Sequence, residues 1–154
     1  MKIKVKRKAK NSWKPEWANA IQNAAIFAGK EFNIDKKKLK VEIILKNSLA
    51  LDYSGVTLSL NPMKRFVIIL NAAYLYSEAR VFEIVFHEMT HVKQEFHNGF
   101  ILDDSSEAHF EGLVYNFESE EDFEKQYWDL PWEVEARKME KKLWKKYSKK
   151  FLTS

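Results

Sequence analysis

The stretch VFHEMTHVKQEFHNG, residues 85–99, carries three of the four histidines of the chain. His87 and His91 are four apart, and Glu88 directly follows the first. On a helix, residues i and i+4 share a face, so both imidazoles can meet one ion. Glu88 falls on the neighbouring face, where a carboxylate reaches water on the ion rather than the ion itself. A catalytic zinc takes three protein ligands and keeps a fourth position for water. The ion draws the pKa of that water down to ~7, and a carboxylate can then accept its proton. The spacing H-E-x-x-H therefore suits hydrolysis assisted by zinc, with His87 and His91 as ligands and Glu88 as general base. The plain alternative is a surface helix with incidental histidines. Against it, Ile84, Val85, Met89, Val92 and Phe96 give this segment apolar faces that can be buried against a sheet.

The third ligand is open on sequence alone. His97 has the spacing of the last histidine in the metzincin pattern H-E-x-x-H-x-x-G-x-x-H, but Gln94 stands where that pattern needs a chain-turning glycine. On a continuing helix, His97 lies about 240° round from His91 and faces elsewhere. His109, in SSEAHFEG, is a second candidate. A downstream histidine of that kind resembles the SprT/Spartan-type proteases, which carry a glycine next to it where this chain has Phe110. The third candidate is the helix start LPWEVEARKME, with Glu133 and Glu135. Measured from Trp132 on an ideal helix, the apolar stripe Trp132, Ala136, Met139, Leu143 centres near about +10°. Glu133 then lies at about +100° and Glu135 at about −60°. Periodicity does not separate the two and marginally favours Glu135.

HEMTH followed by PWEVEAR resembles the zincin metallopeptidases of the gluzincin type, and most of all the small single-domain HExxH proteins of tailed phages and bacteria. The resemblance covers roughly residues 82 to 137. It implies a zinc-dependent endopeptidase acting on a peptide or protein substrate. It also implies that the first glutamate of an E-x-x-A element, here Glu133 with Ala136, is the third ligand. Arg137 stands where many relatives have Asp or Asn after that alanine. Such proteins often carry a donor for the oxyanion of the tetrahedral intermediate, for which Tyr127, Tyr115 and His109 are available. A phage origin implies the cytoplasm of an infected bacterium, or the phage particle. Two other function classes remain beside this one: a zinc-retaining binding or regulatory protein without turnover, and a nucleic-acid-associated SprT-like protease.

The elements that must position these groups are readable in outline. Residues 2–9 alternate cationic and apolar side chains as a half-buried strand does. Pro15 opens a helix to about Phe32. LKVEIIL (39–45), YSGVTLSL (53–60) and RFVIILN (65–71) read as strands, the last after the turn signal NPMK. Either of the last two could serve as an edge along which an extended substrate pairs. Ser77 caps a helix that runs to Phe96 and stops at Asn98-Gly99. HFEGLVYNF reads as a short strand and SEEDFEKQYW as a turn of helix. Pro131 starts a final helix to about Lys150. The whole predicts one α+β domain over residues 1–154: a twisted sheet with mostly antiparallel edges, packed on the histidine helix and on a C-terminal glutamate-bearing helix.

Composition narrows the chemistry further. The chain has 154 residues, 45% hydrophobic, and no cysteine, so disulfides, thiolate ligands and cysteine nucleophiles are excluded. No apolar run is long enough to span a membrane, and the basic start MKIKVKRKAK is followed by no apolar signal core. The net charge of +4 hides an asymmetry. Residues 103–135 hold twelve acidic side chains and one basic, whereas residues 136–154 hold eight basic and one acidic. The basic termini could face nucleic acid or an anionic membrane; the simpler expectation is that the acidic and basic tracts neutralise each other and that DNA binds weakly.

Overall fold

The computed structural model describes residues 1–7, 16–47, 53–61, 64–104 and 107–152. Eleven elements follow in order: β1 (Lys2–Arg7), α1 (Glu16–Glu31), β2 (Lys40–Lys46), β3 (Gly55–Asn61), β4 (Arg65–Asn71), α2 (Glu78–His97), β5 (Ile101–Asp104), β6 (Glu107–Phe110), β7 (Leu113–Asn116), α3 (Glu120–Gln126) and α4 (Pro131–Phe151). Short 3-10 turns lie at Ala72–Tyr74 and Tyr127–Asp129. The expected start of α1 at Pro15, the Ala9 end of the first strand, and Pro62-Met63 of the turn signal fall outside the described residues.

The first sheet has the order β1-β2-β4-β3. β1, β2 and β4 are parallel, and β3 pairs antiparallel with β4 at the edge. The expectation of mostly antiparallel edges therefore holds for one edge only. The connection from β1 to β2 runs through α1, and a crossover helix returns the chain to make a parallel neighbour. On β2, Val41, Ile43 and Leu45 point inward while Lys40 and Lys46 are exposed, so one face of the sheet carries the core. Trp17, Ile21, Ala24, Ala25 and Ala28 of α1 join that core. Their small alanines let helix and sheet approach closely.

Helix α2 is buried almost all round, because α1, the sheet and α4 enclose it. Phe82, Phe86 and Met89 pack into the main core with Leu143 of α4. Ser77 caps α2, its side chain accepting from the Arg80 N–H at 3.2 Å. At the other end Gly99 adopts φ +63°, which turns the chain so that the Phe100 N–H returns to the Gln94 carbonyl.

A second, three-stranded antiparallel sheet, β5-β6-β7, was less legible. HFEGLVYNF is not one strand but the hairpin β6–β7, turned at Glu111 and Gly112, both with positive φ. Two consecutive positive φ values make a tight hairpin turn whose twist suits the strands. This small sheet and Phe117 close over Trp132 and Leu130 in a separate apolar cluster at the start of α4. That cluster fixes where α4 begins relative to α2. Among the described residues, no helix is long and apolar enough to cross a membrane.

Candidate metal centre

The site forms where α4 crosses α2. Val85, Met89 and Val92 turn inward on α2, which leaves His87 and His91 on the face toward α4. Their rings lie 5.0 Å apart. Glu133, in the first turn of α4, sits between them: its Oε2 is 3.1 Å from His87 Nε2 and its Oε1 is 3.1 Å from His91 Nε2. One ligand atom from each of the three residues lies within 4.8 Å of the others, and among the described residues this is the one such cluster that could hold a metal ion.

Each histidine is oriented from behind. His87 Nδ1 is 3.0 Å from Glu140 Oε2. His91 Nδ1 is 2.7 Å from Gln94 Oε1. The Gln94 amide is itself fixed, because its Nε2 donates to the Trp132 carbonyl at 2.8 Å and to Glu135 Oε1 at 3.0 Å. An amide whose NH2 is so engaged presents its oxygen to His91 and accepts the Nδ1 proton. Both rings are thus set with Nδ1–H outward and Nε2 toward the cluster, an arrangement that suits imidazole ligands of a divalent metal. Two nitrogens and a carboxylate form a donor set that zinc accepts.

The electrostatics express the same convergence. Burial would lower the pKa of His87, but hydrogen bonds to Glu133 and Glu140 more than offset it and push it up to about 10. His91 is pulled down by burial and pushed up further by Glu133. Burial would raise Glu133, yet the two imidazoles hold its carboxyl well below the usual range. Protons on the histidines here do what a cation between them would do: they balance a carboxylate that is 3% exposed. Farther along the helix, burial pushes Glu95 up to about 7, against the Ser59 hydroxyl and the charge of His91.

Glu88 faces strand β3. Thr57 Oγ1 donates to Glu88 Oε2 at 2.7 Å and contacts the Glu88 carbonyl at 3.1 Å. Gly55 makes room for it: a Cβ there would lie 3.0 Å from Glu88 Oε1 and 3.1 Å from its Cγ. The carboxylate is buried beside the cluster without being part of it.

The other residues singled out in the sequence are placed as follows. Glu135 pairs with Lys93 at 3.1 Å and holds Gln94, so it supports His91 from a distance. His109 lies on β6 and pairs with Glu107 at 3.0 Å, away from the cluster. His97 reaches the Phe32 carbonyl at 3.0 Å. Tyr127 is hydrogen-bonded to Glu133, and burial raises its pKa, with Glu133 and Glu88 adding to the rise. Tyr115 packs edge-on against Trp132. Arg137 donates to the Trp128 carbonyl and lies over the Trp128 ring. Four contributors went unread in the sequence: Gly55, Thr57, Gln94 and Glu140. Glu140 is seven residues after Glu133, about −20° round an ideal helix, so the same arithmetic reaches it. Gly55 and Thr57 carry no local signal, because their approach to Glu88 depends on long-range strand order.

No family model, no curated protein and no solved structure matches this chain.

Proposed function

We propose that the chain is a zinc-dependent endopeptidase of the zincin class, with His87, His91 and Glu133 as ligands and Glu88 as general base. The observation that carries this reading is the pair of inward Nε2 atoms meeting Glu133 while Glu88 lies apart, held by Thr57. A zinc ion in that cluster would supply Lewis acidity and lower the pKa of water at the fourth position to ~7.

The protein's own residues do the rest. Glu88 takes a proton from the attacking water on its carboxylate and passes it to the nitrogen of the departing amine. Thr57 holds Glu88 Oε2 and leaves Oε1 for the proton. The Tyr127 hydroxyl, which bonds to Glu133 here, would donate to an oxyanion once Glu133 turns to a metal. β3 is an edge strand, whereas β4 is internal, so an extended substrate pairs along β3. The substrate is a peptide or protein. The resemblance to small zincins of tailed phages and bacteria belongs to the same proposal.

The test is hydrolysis of a peptide library by the zinc-loaded protein. Cleavage that a chelator abolishes and zinc restores is the expected result. Stoichiometric zinc without cleavage of any peptide would leave a binding protein and remove the enzyme.

A further inference from the structure

A second surface lies on the first sheet, at the N-terminal ends of its parallel strands. Lys2, Lys40 and Arg65 stand side by side on β1, β2 and β4 in register. Neighbouring strands are ~4.8 Å apart, so these cations form a closely spaced row. The loop between α1 and β2 adds Lys36, Lys37 and Lys38, all exposed, and the turn before β4 adds Lys64. Two adjoining concavities, about 520 and 780 Å³, share Lys2, Lys40 and Arg65 in their walls. Those walls hold seven lysines and Arg65 against one carboxylate, Glu42. Lys6 pairs with Glu42 at 3.0 Å, and Lys6, Arg65 and Lys4 hold its carboxyl below the usual range. The surface shares no residue with the metal cluster.

Like charges packed into a concavity repel one another and lower stability unless a counter-charge enters. The acidic tract does not account for all the basic charge elsewhere, since Lys141 and Lys146 of α4 pair with Glu83 and Glu31. We propose that this concave face binds the phosphate backbone of duplex nucleic acid without regard to sequence. Lysine ammoniums suit phosphate oxygens, and phosphate contacts carry no base information. A single strand would call for exposed rings on which bases stack, and the one aromatic in the walls, Phe66, is fully buried. A membrane would call for projecting apolar anchors, whereas Leu39, Val41 and Phe66 are buried and Met1 and Ile3 are half-buried against the core. Because this face shares no residue with the metal cluster, nucleic acid held here would localise the protein rather than enter its site.

The experiment is retention by labelled random-sequence duplex DNA, oligo(dT) and vesicles containing phosphatidylserine, across a salt series. Wild type is expected to bind duplex at least as tightly as oligo(dT), weakening steeply with salt. K36E/K37E/K38E, confined to an exposed loop, should lower affinity about tenfold or more. Its slope of log K against log salt should become shallower by about 0.9 for each phosphate no longer neutralised. K4Q/K64Q provides an independent pair if the loop variant misfolds, and should weaken binding in the same direction. K138E/K142E/K145E on α4 should change it little, and all variants should keep zinc. Undiminished retention in both surface variants, an equal drop in the α4 variant, or vesicle binding without duplex retention would each overturn the proposal.

Discussion

Glu88 and Glu133 are both buried carboxylates near two imidazoles, yet their neighbours assign them different work. Glu133 meets the Nε2 atoms, and Glu88 meets Thr57. Glu88→Gln is nearly isosteric and keeps the Thr57 hydrogen bond, so zinc content and fold should survive while hydrolysis falls by about 10²–10⁴-fold. Elemental analysis beside a peptide cleavage assay checks this, and loss of zinc would instead make Glu88 a ligand. Glu133→Ala should abolish stoichiometric zinc. Glu135→Ala should only loosen it, by about 10–100-fold, because it acts through Gln94 on His91. The reverse order in a competition titration would exchange their roles. Protons would compete with a metal at this cluster. His87 has its pKa raised from 6.5 to about 10, so its contribution to the metal-free fold is complete below pH ~6.5 and is lost as pH rises through about 10. Urea midpoints of the chelated protein should therefore decline over that window, and less so in His87→Ala. Zinc affinity should move the opposite way, rising with pH as protons leave. Calorimetry at pH 7 in buffers of different ionisation enthalpy should show protons released on zinc uptake.

At the scale of elements, the centre depends on one crossing. α2 brings His87, His91 and Glu88, α4 brings Glu133, and the two helices are far apart in the chain. Leu143 pins α4 to the main core at 1% exposure, ten residues beyond Glu133. Leu143→Ala should cost about 2–5 kcal/mol in denaturant unfolding, as buried leucine truncations do. It should also weaken zinc binding, although Leu143 touches no ligand, because α4 would then hold Glu133 less firmly. Unchanged zinc affinity in a measurably destabilised variant would show that the Trp132 cluster alone positions the helix start. Much at this scale was readable beforehand. Ser77 and Gly99 bound α2, and Pro131 opens α4, because caps and turn residues act over a few neighbours. The hairpin at Glu111-Gly112 was harder. Glu111 at φ 52° is a conformation that side-chain residues adopt rarely, and an E-G pair signals it weakly.

At the scale of the whole molecule, metal and fold should be linked. Zinc that binds the native state and not the unfolded chain stabilises by about 2.7 kcal/mol when present at a hundredfold over its dissociation constant. Adding chelator should lower the thermal midpoint of wild type and leave Glu133→Ala unmoved. Equal shifts in both would place the metal elsewhere. The basic side chains of α4 and of the strand ends also differ in their partners. α4 is partly neutralised by Glu31 and Glu83 from α1 and α2, whereas the N-terminal strand ends gather lysines around Glu42. Lys141 and Lys146 of the basic tract find partners outside the acidic one, because packing rather than sequence position decides which charges meet.

The sequence by itself determined what acts locally. The i, i+4 histidines, the glutamate between them, the caps, and the alternation of β2 depend on 3.6-residue and two-residue periods that hold wherever the element lies. It also placed both Glu133 and Glu135 beside an apolar stripe, and there it stopped, since the ideal angles leave them about equally far from its centre. Only the crossing of α4 over α2, set by Leu143 at one end and Trp132 at the other, puts Glu133 between the imidazoles and turns Glu135 toward Lys93 and Gln94. The sheet order was likewise beyond local reading. VTLS and VIIL are both good strands, and nothing in either says which is the edge. The parallel pairing of β2 with β4 decides it: β3 is left outside, where Gly55 and Thr57 come against Glu88. A side chain's type is a local fact, but its partners are chosen by contacts between residues far apart in the chain.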